Sequence, residues 1–260
     1  MKIAIFGTGV MGEAFVSHFV KNHEVILYDK SEEKSSKIAR KHGAKSTQSI
    51  EELLKECQIV LLSVKPKDLS IVASQISSFL TPSHIIISIL AGTSLQLVQE
   101  MFPKSTVVRV MPNLPIVCQK GVLGVVQDNL MNTKIRDLLS TLFEGIGLVV
   151  WIPEQQMDAI TALTGSGPAF ILLWIEAMME SAIAMGLSTE KSRDLVLQTM
   201  LGTLELCKTT GKHPAELKWL ITSPGGTTIE GLKELEKAGV RSGIMNAFLA
   251  TYQKSRKFGD

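Results

Sequence analysis

Up to Pro153 the apolar residues come in short, almost unbroken runs, each followed by a stretch in which they recur with helical spacing. The runs at 3–6, 25–28, 59–64, 85–90 and 107–111 read as strands, rich in Ile, Val and Leu. Helical patterns fall near 11–22, 32–42, 50–56, 67–79 and 94–101. Strands that are apolar throughout, rather than alternating, are those covered by helices on both faces. The pattern therefore predicts βαβ units and a parallel sheet. Runs at 122–126 and 148–152 extend it, with a helix near 133–144 between them.

After Pro153 the β-branched runs stop, and Met, Ala and Leu at helical spacing take over. Helices are expected near 154–163, 168–185, 189–209, 214–221, 227–238 and 242–257. Pro168 and Pro214 occupy first-turn positions, and Gly186, Gly211 and Gly239 mark stops. Helix 168–185 begins Pro-Ala-Phe-Ile-Leu-Leu-Trp-Ile, apolar on every side, so it should be buried all round. A helical domain of about 110 residues has little interior for such a helix. Two explanations stay open: a helical dimer interface, or burial within one subunit. The chain divides on this reading into residues 1–152, a dinucleotide-binding domain, and 153–260, an all-helical dimerisation and substrate domain.

Two Gly-rich turns carry the chemistry. Gly7-Thr8-Gly9-Val10-Met11-Gly12 follows the first strand and opens a helix, the G-x-G-x-x-G arrangement of dinucleotide sites. Gly7 makes the tight turn, Gly9 admits a pyrophosphate, and Gly12 lets the helix pack on the sheet. Asp29 closes the second strand about 20 residues on, where an acidic residue binds an adenosine ribose. That carboxylate would repel a 2′-phosphate, which leans the choice towards NADH. Lys30 and Lys34 offset the charge and keep NADPH open. The second turn, Ser223-Pro224-Gly225-Gly226-Thr227-Thr228-Ile229-Glu230, feeds another helix, and Thr227 with Glu230 has the spacing of a capping box. Its N–H groups and helix dipole suit a small carboxylate. A plain helix start explains the threonines equally well from spacing alone. One turn for a pyrophosphate and one for a carboxylate together point to a reductase.

Composition narrows the field. The formal charge is +2, from 27 Lys+Arg against 25 Asp+Glu, and gives no electrostatic reason to expect nucleic acid. Cys57, Cys118 and Cys207 lie far apart with no histidine at metal spacing, so no metal is expected and the thiols suit a reducing cytosol. The apolar run 169–175 ends at Glu176, short of the ~20 residues a membrane span needs. A soluble, cytoplasmic protein without membrane partners is the expectation.

The residues resemble the pyrroline-5-carboxylate reductase family over essentially the whole chain. The likeness runs through the Phe6–Gly12 turn, Ser63-Val64-Lys65-Pro66, Ser88-Ile89-Leu90-Ala91-Gly92 and Arg109-Val110-Met111-Pro112-Asn113. It continues through Thr164-Gly165-Ser166-Gly167-Pro168-Ala169 and the turn from Ser223 to Glu230, the family's most specific segment. The resemblance implies a Rossmann-like doubly wound parallel sheet followed by an all-α dimerisation domain. It implies that Phe6, Gly7, Thr8, Gly9, Val10, Met11, Gly12 and Asp29 bind cofactor, with Ser63, Val64, Lys65, Pro66, Ile89, Leu90 and Ala91 lining the nicotinamide half. Ser223, Gly225, Gly226, Thr227 and Thr228 would hold the substrate, with Thr164 and Ser166 nearby and Glu154 a weaker candidate. Family members form intertwined homodimers, so a homodimer or larger homo-oligomer is implied. Asp29 departs from the small polar residue common in NADPH-using relatives.

The implied reaction is hydride transfer to the C=N carbon of a cyclic imino acid, giving L-proline. A protonated imine is already electrophilic, so the protein need supply little beyond orientation and electrostatics. Thr228 is the candidate catalytic residue, able to hydrogen-bond near the ring nitrogen. Related imine or 3-hydroxyacid dehydrogenases and a non-catalytic nucleotide sensor are the competing readings.

Overall fold

The computed structural model describes residues 1–127 and 132–257. Eight strands form one sheet: β1 (Lys2–Phe6), β2 (Glu24–Tyr28), β3 (Lys45–Ser46), β4 (Ile59–Leu62), β5 (Ile85–Ser88), β6 (Thr106–Pro112), β7 (Gly121–Val126) and β8 (Gly147–Ile152). Their order is β3-β2-β1-β4-β5-β6-β7-β8, so strand order reverses between β1 and β4. A sheet of this kind binds ligands at the carboxyl ends beside that reversal. Helices α1 (Val10–Phe19), α2 (Glu32–His42), α3 (Ile50–Glu56), α4 (Leu69–Ile76), α5 (Leu95–Met101) and α6 (Thr133–Leu142) follow individual strands. Phe15, Phe19 and Phe143 pack with Ile3, Ile5 and Val108 on one face. Phe102, Leu69 and Val98 pack with Phe6, Leu62 and Ile86 on the other. Each fully buried side chain of this size contributes about 1.5–3 kcal/mol. Ser31, Ser49 and Ser94 cap α2, α3 and α5 by accepting from the backbone three residues on.

Two details differ from the expected parallel sheet. β3 has only two residues, too short to register as a periodic run. β6 and β7 pair antiparallel, while every other neighbouring pair among the described strands is parallel. The connection between β6 and β7 is a 3-10 turn over Leu114–Cys118, too short for a crossover, which takes a dozen or more residues. The sheet is mostly parallel for this reason.

By contacts the chain forms two compact units, Met1–Gly165 with Thr251–Asp260, and Ser166–Ala250. The first holds the sheet, a helical run α7 (Met157–Ile160) and most of a π-helical turn at Thr161–Ser166. The second is built from α8 (Gly167–Ala184), α9 (Thr189–Thr210), α10 (Pro214–Ile221), α11 (Thr227–Lys237) and most of α12 (Val240–Arg256). Inside it Phe170 meets Phe248 edge-on at 5.0 Å. Among the described residues, α8 is not buried all round. Leu172, Leu173 and Met185 are 62%, 64% and 76% exposed, and α10 ends on exposed Trp219, Leu220 and Ile221. The helical stretch Glu154–Ala184 is long and apolar enough to cross a membrane by length and composition. The apolar run 169–175 is thus one part of a longer apolar helical stretch that extends on both sides of it.

At the far end of α1, His18 and His23 are partly buried, and each Nδ1 is enclosed without a partner among the described residues. Burial lowers both imidazole pKa values, reinforced at His18 by Lys21 and at His23 by the chain's N-terminal ammonium. The hydrogen bond to the Leu142 carbonyl only partly offsets this at His18. A group with a depressed folded pKa that charges on protonation binds its proton more readily unfolded. Stability should thus fall as pH drops below the unfolded value near 6.5 and level off below the folded values. Unfolding temperatures between pH 8 and pH 5 check this. The slope should flatten in a His18→Gln, His23→Gln variant, and equal slopes would refute the assignment.

Candidate functional site

The β1–α1 turn and the ends of β2 and β4 surround a cleft of about 400 Å³ at the strand-order reversal. Gly7, Gly9, Asp29, Ser63 and Lys65 line it, with Lys30 and Lys34 at its rim. Gly7 has φ +94, and a Cβ there would come within 2.6 Å of the Ser63 carbonyl oxygen. Only glycine fits that close crossing of two turns. A Cβ on Gly9 meets nothing within 4 Å. The glycine there is not demanded by the protein's own packing, so the open space is what a pyrophosphate arriving at the start of α1 would use. A dinucleotide fits the groups present.

Asp29 does more than face the cleft. Its Oδ2 accepts from the Thr8 N–H and the Thr8 hydroxyl, both at 2.7 Å, and its Oδ1 accepts from the Ser31 N–H at 3.1 Å. Burial pushes the carboxyl pKa up, but the bonds from Thr8 and Ser31 and the Lys34 charge outweigh it and hold it below the usual range. Asp29 is therefore ionised at neutral pH, with both oxygens engaged, Oδ2 by Thr8 and Oδ1 by Ser31. Lys30 pairs with Asp68 at 3.4 Å. Among the other predicted cofactor residues, Val10 is exposed at the first turn of α1, Met11 is half-buried, and Phe6, Thr8 and Gly12 are buried. Val64 and Pro66 follow β4 beside the cleft; Ile89 and Leu90 are buried where β5 ends, and Ala91 is exposed.

The second turn lies in the helical unit. Gly225 has φ +66, and the Gly226 N–H donates to the Ser223 carbonyl at 3.1 Å. That bond uses one of the three N–H groups expected to meet a carboxylate, leaving those of Thr227 and Thr228 at the start of α11. The expected capping box does not form. Gly226 is the N-cap, so Thr227 is already the first helical residue and Glu230 pairs with Lys233 instead. The frame is one residue earlier than the sequence spacing implies. Neither threonine hydroxyl has a hydrogen-bond partner among the described residues, and Thr228 is half-buried.

Three further candidates are placed as follows. The Thr164 hydroxyl donates back to the Ile160 carbonyl at 2.9 Å, while the Thr164 carbonyl accepts from Asn113 Nδ2 at 2.9 Å. Ser166 is half-buried at the end of the π-helical turn, a kind of element often found at functional sites. Glu154 Oε1 accepts from Arg109 Nη1 at 2.5 Å and from the Leu95 N–H at 3.1 Å. Neither Arg109 nor Asn113 had been given a role. The signal for Arg109 was legible all the same: a charge inside the run Val-Val-Arg-Val-Met, buried on both faces, must have a partner.

Comparison with known proteins identifies the family and the fold. Residues 154–258 match the family model described as pyrroline-5-carboxylate reductase dimerisation, and residues 2–92 match NADP oxidoreductase coenzyme F420-dependent. A pyrroline-5-carboxylate reductase of Synechocystis sp. is 35% identical over 264 residues, covering 100% of this chain and 98% of the relative. One from Methanosarcina acetivorans is 36% identical over 99% of this chain and 98% of its own. Among solved structures, Plasmodium falciparum pyrroline carboxylate reductase with NADP bound superposes with TM-score 0.90 at 31% identity, covering 100% of this chain and 98% of that one.

Proposed function

The chain belongs to the pyrroline-5-carboxylate reductase family, and from that membership we propose that it reduces 1-pyrroline-5-carboxylate to L-proline with NAD(P)H. The observation that carries the residue-level reading is the pair of Gly-rich turns, each with free space or free donors where an anion would sit. When bound, the reduced nicotinamide supplies the hydride. The chain's own residues then have three tasks. Gly7 to Gly12 hold the pyrophosphate at the start of α1. Thr227 and Thr228 hold the substrate carboxylate through their N–H groups, which fixes the ring face presented. The Thr228 hydroxyl faces the ring nitrogen and keeps the proton there, so the C=N carbon stays electrophilic. Ser166 and the Thr164 segment border the substrate.

The exposed apolar faces of α8 and α10, in a segment that matches a dimerisation model, support a homodimer. A partner helix, not lipid, covers them on this reading. Burial pushes the Cys57 thiol up to about 11, which suits an inert core thiol in a cytoplasmic protein.

Asp29 carries the preference between nucleotides. Its ionised carboxylate at the cleft disfavours a 2′-phosphate, and Lys30 and Lys34 temper that, so NADH is used at least as well as NADPH. The test is steady-state proline formation with each nucleotide in parallel, on the parent and on Asp29→Ser. Parent turnover dependent on pyrroline-5-carboxylate is expected, and its absence overturns the function. In Asp29→Ser the ratio of kcat/KM for NADPH to that for NADH should rise about tenfold, or ~1.4 kcal/mol. An unchanged ratio would leave Asp29 as a loop clamp alone.

A further inference from the structure

Arg109 sits on β6 between Val107 and Met111, on the sheet face that packs against Leu95, Val98 and Phe102, and it is 5% exposed. Its register partner is Ser88, the last residue of β5 and fully buried. From β8 the chain turns through Pro153 and delivers Glu154 to the same place, where one carboxylate oxygen takes both the Arg109 guanidinium and the Leu95 N–H. Leu95 is the first residue of α5, immediately after the Ser94 cap. Loop 89–94 is therefore bonded to this cluster at its α5 end, through the Leu95 N–H, and at its other end adjoins it through the Ser88–Arg109 register pair. It leaves Ser88 beside Arg109 and enters α5 on Glu154.

The cluster is poorly arranged for stability alone. The Ser88 hydroxyl, Arg109 Nε and Glu154 Oε2 are all buried without a partner among the described residues. Apolar side chains of similar volume would spare that desolvation and often stabilise a protein when they replace a buried ion pair. A buried, half-satisfied polar group calls for an explanation of another kind. Loop 89–94 supplies one, because residues 89–91 are those that would line the nicotinamide half.

We propose that Arg109 and Glu154 are positioning residues that fix loop 89–94, and through it the plane in which the nicotinamide ring lies. The proposal rests on the reading of the chain as an NAD(P)H-dependent reductase. It gives Glu154 a different task from substrate contact: its bound oxygen serves Arg109 and α5.

The test is the double variant Arg109→Met, Glu154→Leu, which removes both charges together and leaves neither buried alone. Two readouts are taken. In the nucleotide-free protein, hydrogen exchange at amides 89–95 should quicken about tenfold, while amides in β1 and β4 keep their protection. In turnover, kcat should fall about tenfold with KM for the nucleotide and the unfolding temperature near those of the parent. The kinetic isotope effect from deuterated nucleotide should grow as hydride transfer becomes slower than release. A variant with parental kcat and parental exchange overturns the proposal. So does a raised KM for the imino acid at parental kcat, which would return Glu154 to the substrate. If the double variant does not fold, Arg109→Lys keeps the charge but loses the fork geometry, and the same two outcomes decide. Quickened exchange in a chain that shows no parent turnover would keep the loop anchor and remove the reductase reading instead.

Discussion

Gly9→Ala is expected to fold as the parent does and to bind nucleotide about 100-fold more weakly. Stability is spared because the backbone at Gly9, φ −69 and ψ −176, is extended and open to any residue. A Cβ there also meets no protein atom within 4 Å. The methyl group instead occupies the space through which a pyrophosphate must approach the first turn of α1. Forcing one extra carbon into a close contact typically costs 1–3 kcal/mol, about 5- to 150-fold in affinity, and the charged ligand has no softer neighbour to displace. Gly12→Ala makes the contrast, since its Cβ would overlap the Gly7 carbonyl oxygen and should destabilise the fold itself. Calorimetry of NADPH or NADH binding, beside thermal unfolding, separates the two. Parental affinity in Gly9→Ala would mean that the first turn is only a tight strand–helix junction.

Thr228→Ala should lower kcat/KM for pyrroline-5-carboxylate by about 100-fold, the scale of removing one aimed hydrogen-bond donor from a reacting centre. The structure makes this a clean experiment. The Thr228 hydroxyl caps nothing, because Gly226 is the N-cap and no side-chain bond closes the helix start. Losing it should therefore change stability by no more than about 0.5 kcal/mol, as for an ordinary surface substitution. Thr227→Ala, exposed and one residue nearer the turn, is the control: it keeps its N–H and should lose far less. Equal kinetics in Thr228→Ala and the parent would assign the threonine to helix initiation.

Much of the sheet was legible because buried strands such as Ile-Val-Leu-Leu at 59–62 leave no other reading of their composition. The first Gly-rich turn was equally plain, since Gly7 and Gly9 follow a strand and open a helix at fixed spacing. Strand direction was not legible. Apolar periodicity is the same for a parallel and an antiparallel neighbour, so β7 needed the shortness of the 113–120 connection to give it away. The capping frame at α11 failed because Thr227 follows a glycine that can itself serve as N-cap, and the S/T-x-x-E pattern does not say which residue does. The all-apolar character of α8 foretold burial but not by what; one chain leaves it open. The partners of Arg109 lay hidden for a simpler reason. Glu154 is 45 residues away in sequence, beyond two further strands, so no local pattern links the two.

The two hydrogen bonds that Thr8 donates to Asp29 hold the first turn in shape without any ligand. The conformational entropy of that loop is lost once, during folding, and is not subtracted again from each binding event. A nucleotide binding there would meet a turn already held in shape, so capture would be a matter of encounter and orientation, with little refolding of the loop to wait for.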